Sequence, residues 1–109
     1  SLVAYETLCA HPEWPMTTFV TLGSPLGVRN VIFEKLRPTP QDGRGRWPGQ
    51  VKCWVNIADA GDIVALQKQL ATCFGTGVKD HLIRNGARAH DVSRYLTAKE
   101  TGDAIASGL

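Results

Sequence analysis

Two carboxylates and a histidine in this chain have the types and order needed for acyl-transfer chemistry. Asp59 and Asp62 sit in Val55-Asn56-Ile57-Ala58-Asp59-Ala60-Gly61-Asp62-Ile63-Val64, where an apolar run meets a helical pattern, and His90 follows in Ala89-His90-Asp91. A carboxylate that fixes the tautomer of an imidazole, and stabilises the imidazolium formed during reaction, makes up two thirds of a nucleophilic triad. The remaining third is a serine on a sharp strand-to-helix elbow, G-x-S-x-G, and the chain has no such pattern. Ser24, in Gly23-Ser24-Pro25-Leu26-Gly27, has the wrong spacing, and Pro25 would obstruct a helix start, so it reads as a turn residue lining a pocket. Ser1 lacks the flanking glycines an elbow needs and is the weaker alternative. The chain is therefore expected to begin just past the nucleophile. His11 and His81 have no strand-end context and read as surface residues.

Elements must position these groups, and the hydrophobic pattern names them. Leu2, Tyr5, Leu8 and Cys9 recur at helical spacing up to Pro12 and Pro15, so the chain opens inside a helix. Residues 17–22 are β-branched and aromatic without polar alternation, the pattern of a strand covered on both faces. Val28, Val31, Ile32 and Leu36 predict a short helix over 28–36, ended by Pro38 and Pro40. Residues 37–50 form a long Pro- and Gly-containing loop with Arg44 and Arg46 beside Trp47, read first as a solvated loop and second as a contact for an anionic or aromatic ligand. The helix at 28–36 is expected to be a crossover helix burying one face on the sheet, or the 28–50 stretch as a whole to be a surface insertion. Val51, Cys53, Val55 and Ile57 alternate with Lys52, Trp54 and Asn56, which makes 51–57 a strand, with Trp54 assigned to packing.

Beyond the acid turn, Ile63, Leu66, Leu70 and Phe74 mark a helix face with Asp62 as its N-cap and Gly75 as its stop. A third strand is predicted over 78–83, closed by Asn85-Gly86, and then come His90 and two closing helices, 92–96 and 98–106, the latter with a Thr97/Glu100 capping box. Helices and strands alternating in this way make an α/β fold with a parallel sheet, and functional groups in such sheets collect beyond the carboxyl ends of the strands. Three segments end there: residues 23–25, residues 59–62 and the loop of His90.

Composition narrows the classes. At 109 residues, 43% hydrophobic and 20% charged, the chain is one small globular domain, spanning 1–109, and shorter than the roughly 200 or more residues that larger α/β enzymes often use. A formal charge of +2 argues for neither a nucleic-acid nor a membrane partner. Cys9, Cys53 and Cys73 cannot all pair and form no C-x-x-C, so they read as small hydrophobes of a reducing, cytoplasmic compartment, with no metal or redox role. The secretory alternative stays open because the start reads as truncated. No apolar run reaches the roughly 18 residues of a membrane span.

Four pieces, in order, resemble lipase-like α/β-hydrolases. Ser1-Leu2-Val3-Ala4-Tyr5-Glu6 resembles the helix after the nucleophile elbow, and Thr21-Leu22-Gly23-Ser24-Pro25-Leu26-Gly27 is similar to the T-x-G-S-P-x-G stretch after the next strand. Residues 56–64 resemble the turn that supplies the triad acid, and 89–96 the histidine segment. The resemblance implies the C-terminal half of such a fold, about three parallel strands flanked by helices, with Asp62 as acid, His90 as base and the serine three residues ahead of Ser1. It implies an esterase or lipase-like parent acting on a small acyl ester, without metal or organic cofactor, and makes 28–50 the place where such a parent would carry a lid. Lacking the elbow and the oxyanion hole, this chain alone is expected to be inactive. The competing expectation is a non-catalytic α/β module that assembles, through the open edge of the strand at 18–22, with a second copy or with the missing N-terminal half.

Overall fold

Three parallel strands form one sheet in the computed structural model, which describes residues 1–61, 69–84 and 99–107. The strands are β1 (Thr18–Leu22), β2 (Cys53–Asp59) and β3 (Val78–Ile83), and they lie side by side in chain order with β2 central. Thr21 is opposite Asn56, and Asn56 opposite Asp80, which sets the register across all three. Helix α1 (Leu2–Ala10) precedes β1, the short α2 (Ala71–Phe74) precedes β3, and α3 (Lys99–Ser107) closes the described chain. The architecture is thus the expected parallel α/β arrangement; β3 and the stop at Gly75 fall where the pattern placed them, whereas of the helix predicted from residue 63 to 74 the described residues show only α2, with residues 69 and 70 outside it. Among the described residues, no helix is long and apolar enough to cross a membrane.

Alternation along the strands sorts the side chains onto two faces. Phe19, Thr21, Trp54, Asn56, Val78 and Asp80 share one register set, and Tyr5, Leu8, Cys9, Phe33, Leu36, Leu70, Cys73 and Phe74 join the apolar members of that set in the main core. Val55, Ile57 and Ile83 form a second cluster, with Val20 and Leu22 against it, and α3 lies against β1 and β2. Trp54, which alternation puts on the same strand face as Lys52 and Asn56, is fully buried in the first core. Its ring lies 4.8 Å from Phe74, 5.2 Å from Phe19, 5.7 Å from Trp47 and 6.1 Å from Tyr5. Burying an aromatic of this size among tilted and edge-on partners is among the largest single contributions a small core can gain.

The helix predicted over 28–36 does not form. Val28 N–H bonds back to the Pro25 carbonyl, Asn30 takes a left-handed φ of 64°, and only a single 3-10 turn, Phe33–Lys35, follows. A left-handed residue cannot continue an α-helix, and the Glu34 carboxylate holds that bend by accepting the Asn30 N–H at 2.7 Å. The residues that pack fully are Leu26, Phe33 and Leu36, whereas Val31 is exposed, so of the four residues that set the helical spacing only Leu36 is fully buried and the spacing marked no single packed face. The loop after it is fastened to the helices: Tyr5 Oη donates to the Arg46 carbonyl at 2.7 Å and Gly45 N–H to the Cys73 carbonyl at 2.8 Å.

Candidate functional site

The carboxyl edge of the sheet is assembled from turns that bond to one another. As β1 ends, Gly23 N–H donates to the Ile57 carbonyl at 2.8 Å, and as β2 ends, Ala60 N–H donates to the Ile83 carbonyl at 2.9 Å. Each turn thereby extends the ladder of the neighbouring strand by one bond. Ser24, 2% exposed, accepts the Leu26 N–H at 3.2 Å, a local side-chain turn that Pro25 favours, and donates its hydroxyl to Ser1 Oγ at 2.9 Å. The start of α1 is therefore seated on the turn that ends β1.

Asp59, 1% exposed, is the last residue of β2, and its Oδ1 accepts the Gly61 N–H at 2.6 Å. One carboxylate oxygen is thus committed to shaping the turn that leads toward residue 62. Asp59, Ala60 and Gly61 line a concavity of about 320 Å³ together with Arg84, which follows β3. Arg84 was not singled out by sequence because only strand pairing brings it beside the β2 turn. Asp62 and His90, the expected acid and base, lie outside the described residues, as do the Asn85-Gly86 turn, the helix at 92–96 and Thr97 of the capping box.

The other histidines occupy surface positions, as expected. His11 stacks on Trp14 at 4.3 Å, and its Nδ1 lies 3.3 Å from the Glu13 carboxylate. Glu13 is held below the ordinary carboxylate range, first by its own backbone N–H and then by His11. His81 is exposed on β3.

A polar ladder beneath this edge was not legible in the sequence. Trp54 Nε1 donates to Thr21 Oγ1 at 3.1 Å, Thr21 donates to Asn56 Oδ1 at 2.8 Å, and Asn56 Nδ2 donates to Asp80 Oδ1 at 2.9 Å. Asp80 then accepts the Leu70 N–H at 2.9 Å and the Ala71 N–H at 2.8 Å. Buried polar groups are tolerated when they satisfy each other, and this chain of bonds also pins the register of three strands. Its effect on the site is positional. Asp59 holds Gly61, and Asp80 holds Leu70 and Ala71, described residues on either side of positions 62–68.

Two buried groups take no part in this edge. Burial pushes the Tyr5 phenol well above its ordinary pKa, with the neighbouring Cys9 adding to the shift, and burial likewise raises Cys9. Cys9 and Cys73 are buried free thiols, as expected, while Cys53 at the start of β2 is half-buried. Among the described residues, no group of three His, Cys, Asp or Glu side chains is arranged to hold a metal ion. No protein-family model, curated protein or solved structure matches the chain.

Proposed function

We propose that this chain is the C-terminal part of a lipase-like serine hydrolase, in which Asp62 and His90 act with a serine borne on a segment ahead of Ser1. The observation that carries this reading is the seating of Ser1 on Ser24, at the same sheet edge as the Asp59 turn. Three residues of extended chain span at most about 10 Å, so a serine three positions ahead of Ser1 stays within reach of that edge. In the proposed reaction the serine attacks the acyl carbon, His90 takes its proton and returns it to the leaving alcohol, and Asp62 orients the imidazole. Asp59 shapes the turn that carries Asp62.

The test is labelling by a fluorophosphonate probe. A longer protein carrying the elbow should be labelled, and Asp62→Asn or His90→Ala should abolish or severely slow that labelling. The 109-residue chain should not react. Labelling of the short chain that is lost on Ser1→Ala would overturn the alignment.

A second reading rests on β1, which has β2 as its one strand neighbour among the described residues. An open strand edge is a template for pairing, and a non-catalytic module would use it to bind a second copy of the chain. Sedimentation velocity separates the two cases: a concentration-dependent dimer, abolished by proline at Val20, supports assembly through β1, and a monomer at all concentrations removes it.

A further inference from the structure

The loop between residues 37 and 47 carries its own cleft, on a segment distinct from the turns of the carboxyl edge. Thr39, Gln41, Asp42, Arg44 and Arg46 line a cavity of about 390 Å³, within the size range of small-molecule sites. Its backbone is held in place at successive residues. Gln41 and Arg44 exchange two backbone hydrogen bonds, at 2.9 and 3.0 Å, around an Asp42-Gly43 turn in which both central residues have positive φ, 55° and 75°. That is the tight turn for which Asp-Gly is a preferred pair. Gly45 N–H bonds to Cys73, and a Cβ at Gly45 would overlap the Phe74 ring, so the loop lies flush on α2. The Arg46 carbonyl is fixed by Tyr5.

The side chains on this fixed backbone are cationic and open. Arg44 and Arg46 alternate around Gly45, line the same cavity and are exposed, and among the described residues neither guanidinium has a carboxylate within ion-pair distance. Arg37 Nη1 donates to Thr39 Oγ1 at 3.2 Å, which leaves the threonine hydroxyl proton for a ligand. Guanidinium groups are matched in shape and charge to phosphoryl oxygens. Asp42 and Gln41 add groups that accept from hydroxyls, and the Asp42 charge disfavours a polyanion.

We propose that this cleft binds a small hydroxylated phosphate monoester, with Arg44 and Arg46 on the phosphoryl group and Thr39, Gln41 and Asp42 on the body that carries it. The site is independent of the hydrolase reading, since none of its residues belongs to the Asp59 turn.

Titration calorimetry on the 109-residue chain tests it, with glucose 6-phosphate, inorganic phosphate and glucose as probes. The expected result is saturable binding of glucose 6-phosphate, weaker binding of phosphate, no binding of glucose, and loss of affinity with added salt. Arg44→Gln with Arg46→Gln should weaken glucose 6-phosphate by about tenfold or more. Both side chains are exposed, so thermal unfolding should match the parent chain and exclude a folding defect. Absence of saturable binding by either phosphate probe, equal affinity in the double variant, or glucose binding as well as its phosphate would each overturn the proposal.

Discussion

Removing the Asp80 carboxylate tests how the ladder holds the segment at Leu70 and Ala71 to β3. Asp80→Ala deletes one acceptor that serves three donors, Asn56 Nδ2 at 2.9 Å, Leu70 N–H at 2.9 Å and Ala71 N–H at 2.8 Å. A hydrogen bond to a charged group contributes roughly 1.5–3 kcal/mol, but the three share one half-buried carboxylate and water can replace part of it, so about 2–4 kcal/mol is expected in all. Against a total of roughly 5–15 kcal/mol for a domain, that is a large fraction. Urea unfolding followed by tryptophan fluorescence measures it, and in a thermal scan the midpoint temperature should fall by about 10–20 °C. Asp80→Asn keeps one acceptor oxygen but turns an amide donor toward N–H groups, and should lose about half as much. Asn56→Ala should cost less in the Asp80→Ala background than alone, because the shared bond is already gone. A loss below about 0.5 kcal/mol for Asp80→Ala, the range of ordinary surface substitutions, would refute the claim that this carboxylate anchors the segment.

Three further outcomes follow from the core. Because burial raises the Tyr5 phenol in the folded state, its contribution is present at neutral pH and is lost as pH rises above the unfolded value of about 10; urea titrations at successive pH values should show this decline, and Tyr5→Phe should flatten it while costing about 1 kcal/mol at neutral pH for the Arg46 carbonyl left behind. Iodoacetamide should modify Cys53 well before Cys9 and Cys73, since the latter two are buried and burial also holds Cys9 as the thiol; peptide mass mapping over time reads the order. Trp54→Ala should destabilise by about 3–5 kcal/mol, enough to abolish a cooperative unfolding transition in a chain this small, whereas Trp54→Phe should retain the transition and lose mainly the bond to Thr21.

Local pattern was enough for most of the elements. β-branched density marked β1, periodicity marked β2, a Gly stop marked the end of α2, and α3 followed the pattern over its last residues. It failed at 28–36, where apolar spacing of helical period belonged to a loop bent by Asn30. Apolar residues at helical intervals need not share a buried face: here Leu36 is fully buried while Val31 is exposed, because the left-handed bend at Asn30 interrupts the period. At the site, Asp59 was readable as a strand-end acid, and the turn it builds with Gly61 agrees with that placement. Arg84 and Asp80 carried no sequence signal, because each acquires its neighbours only through strand register.

By itself, then, the sequence determined the parallel α/β class and the order of its three strands. These depend on interactions between near neighbours in the chain, which periodicity, turn chemistry and composition report. Tertiary structure alone decided that Thr21, Asn56 and Asp80 align into one ladder, that Ser1 rests on Ser24, and that Arg44 and Arg46 open onto one cleft. Those contacts join residues far apart in sequence or depend on how a loop folds back onto helices, and no local preference encodes them.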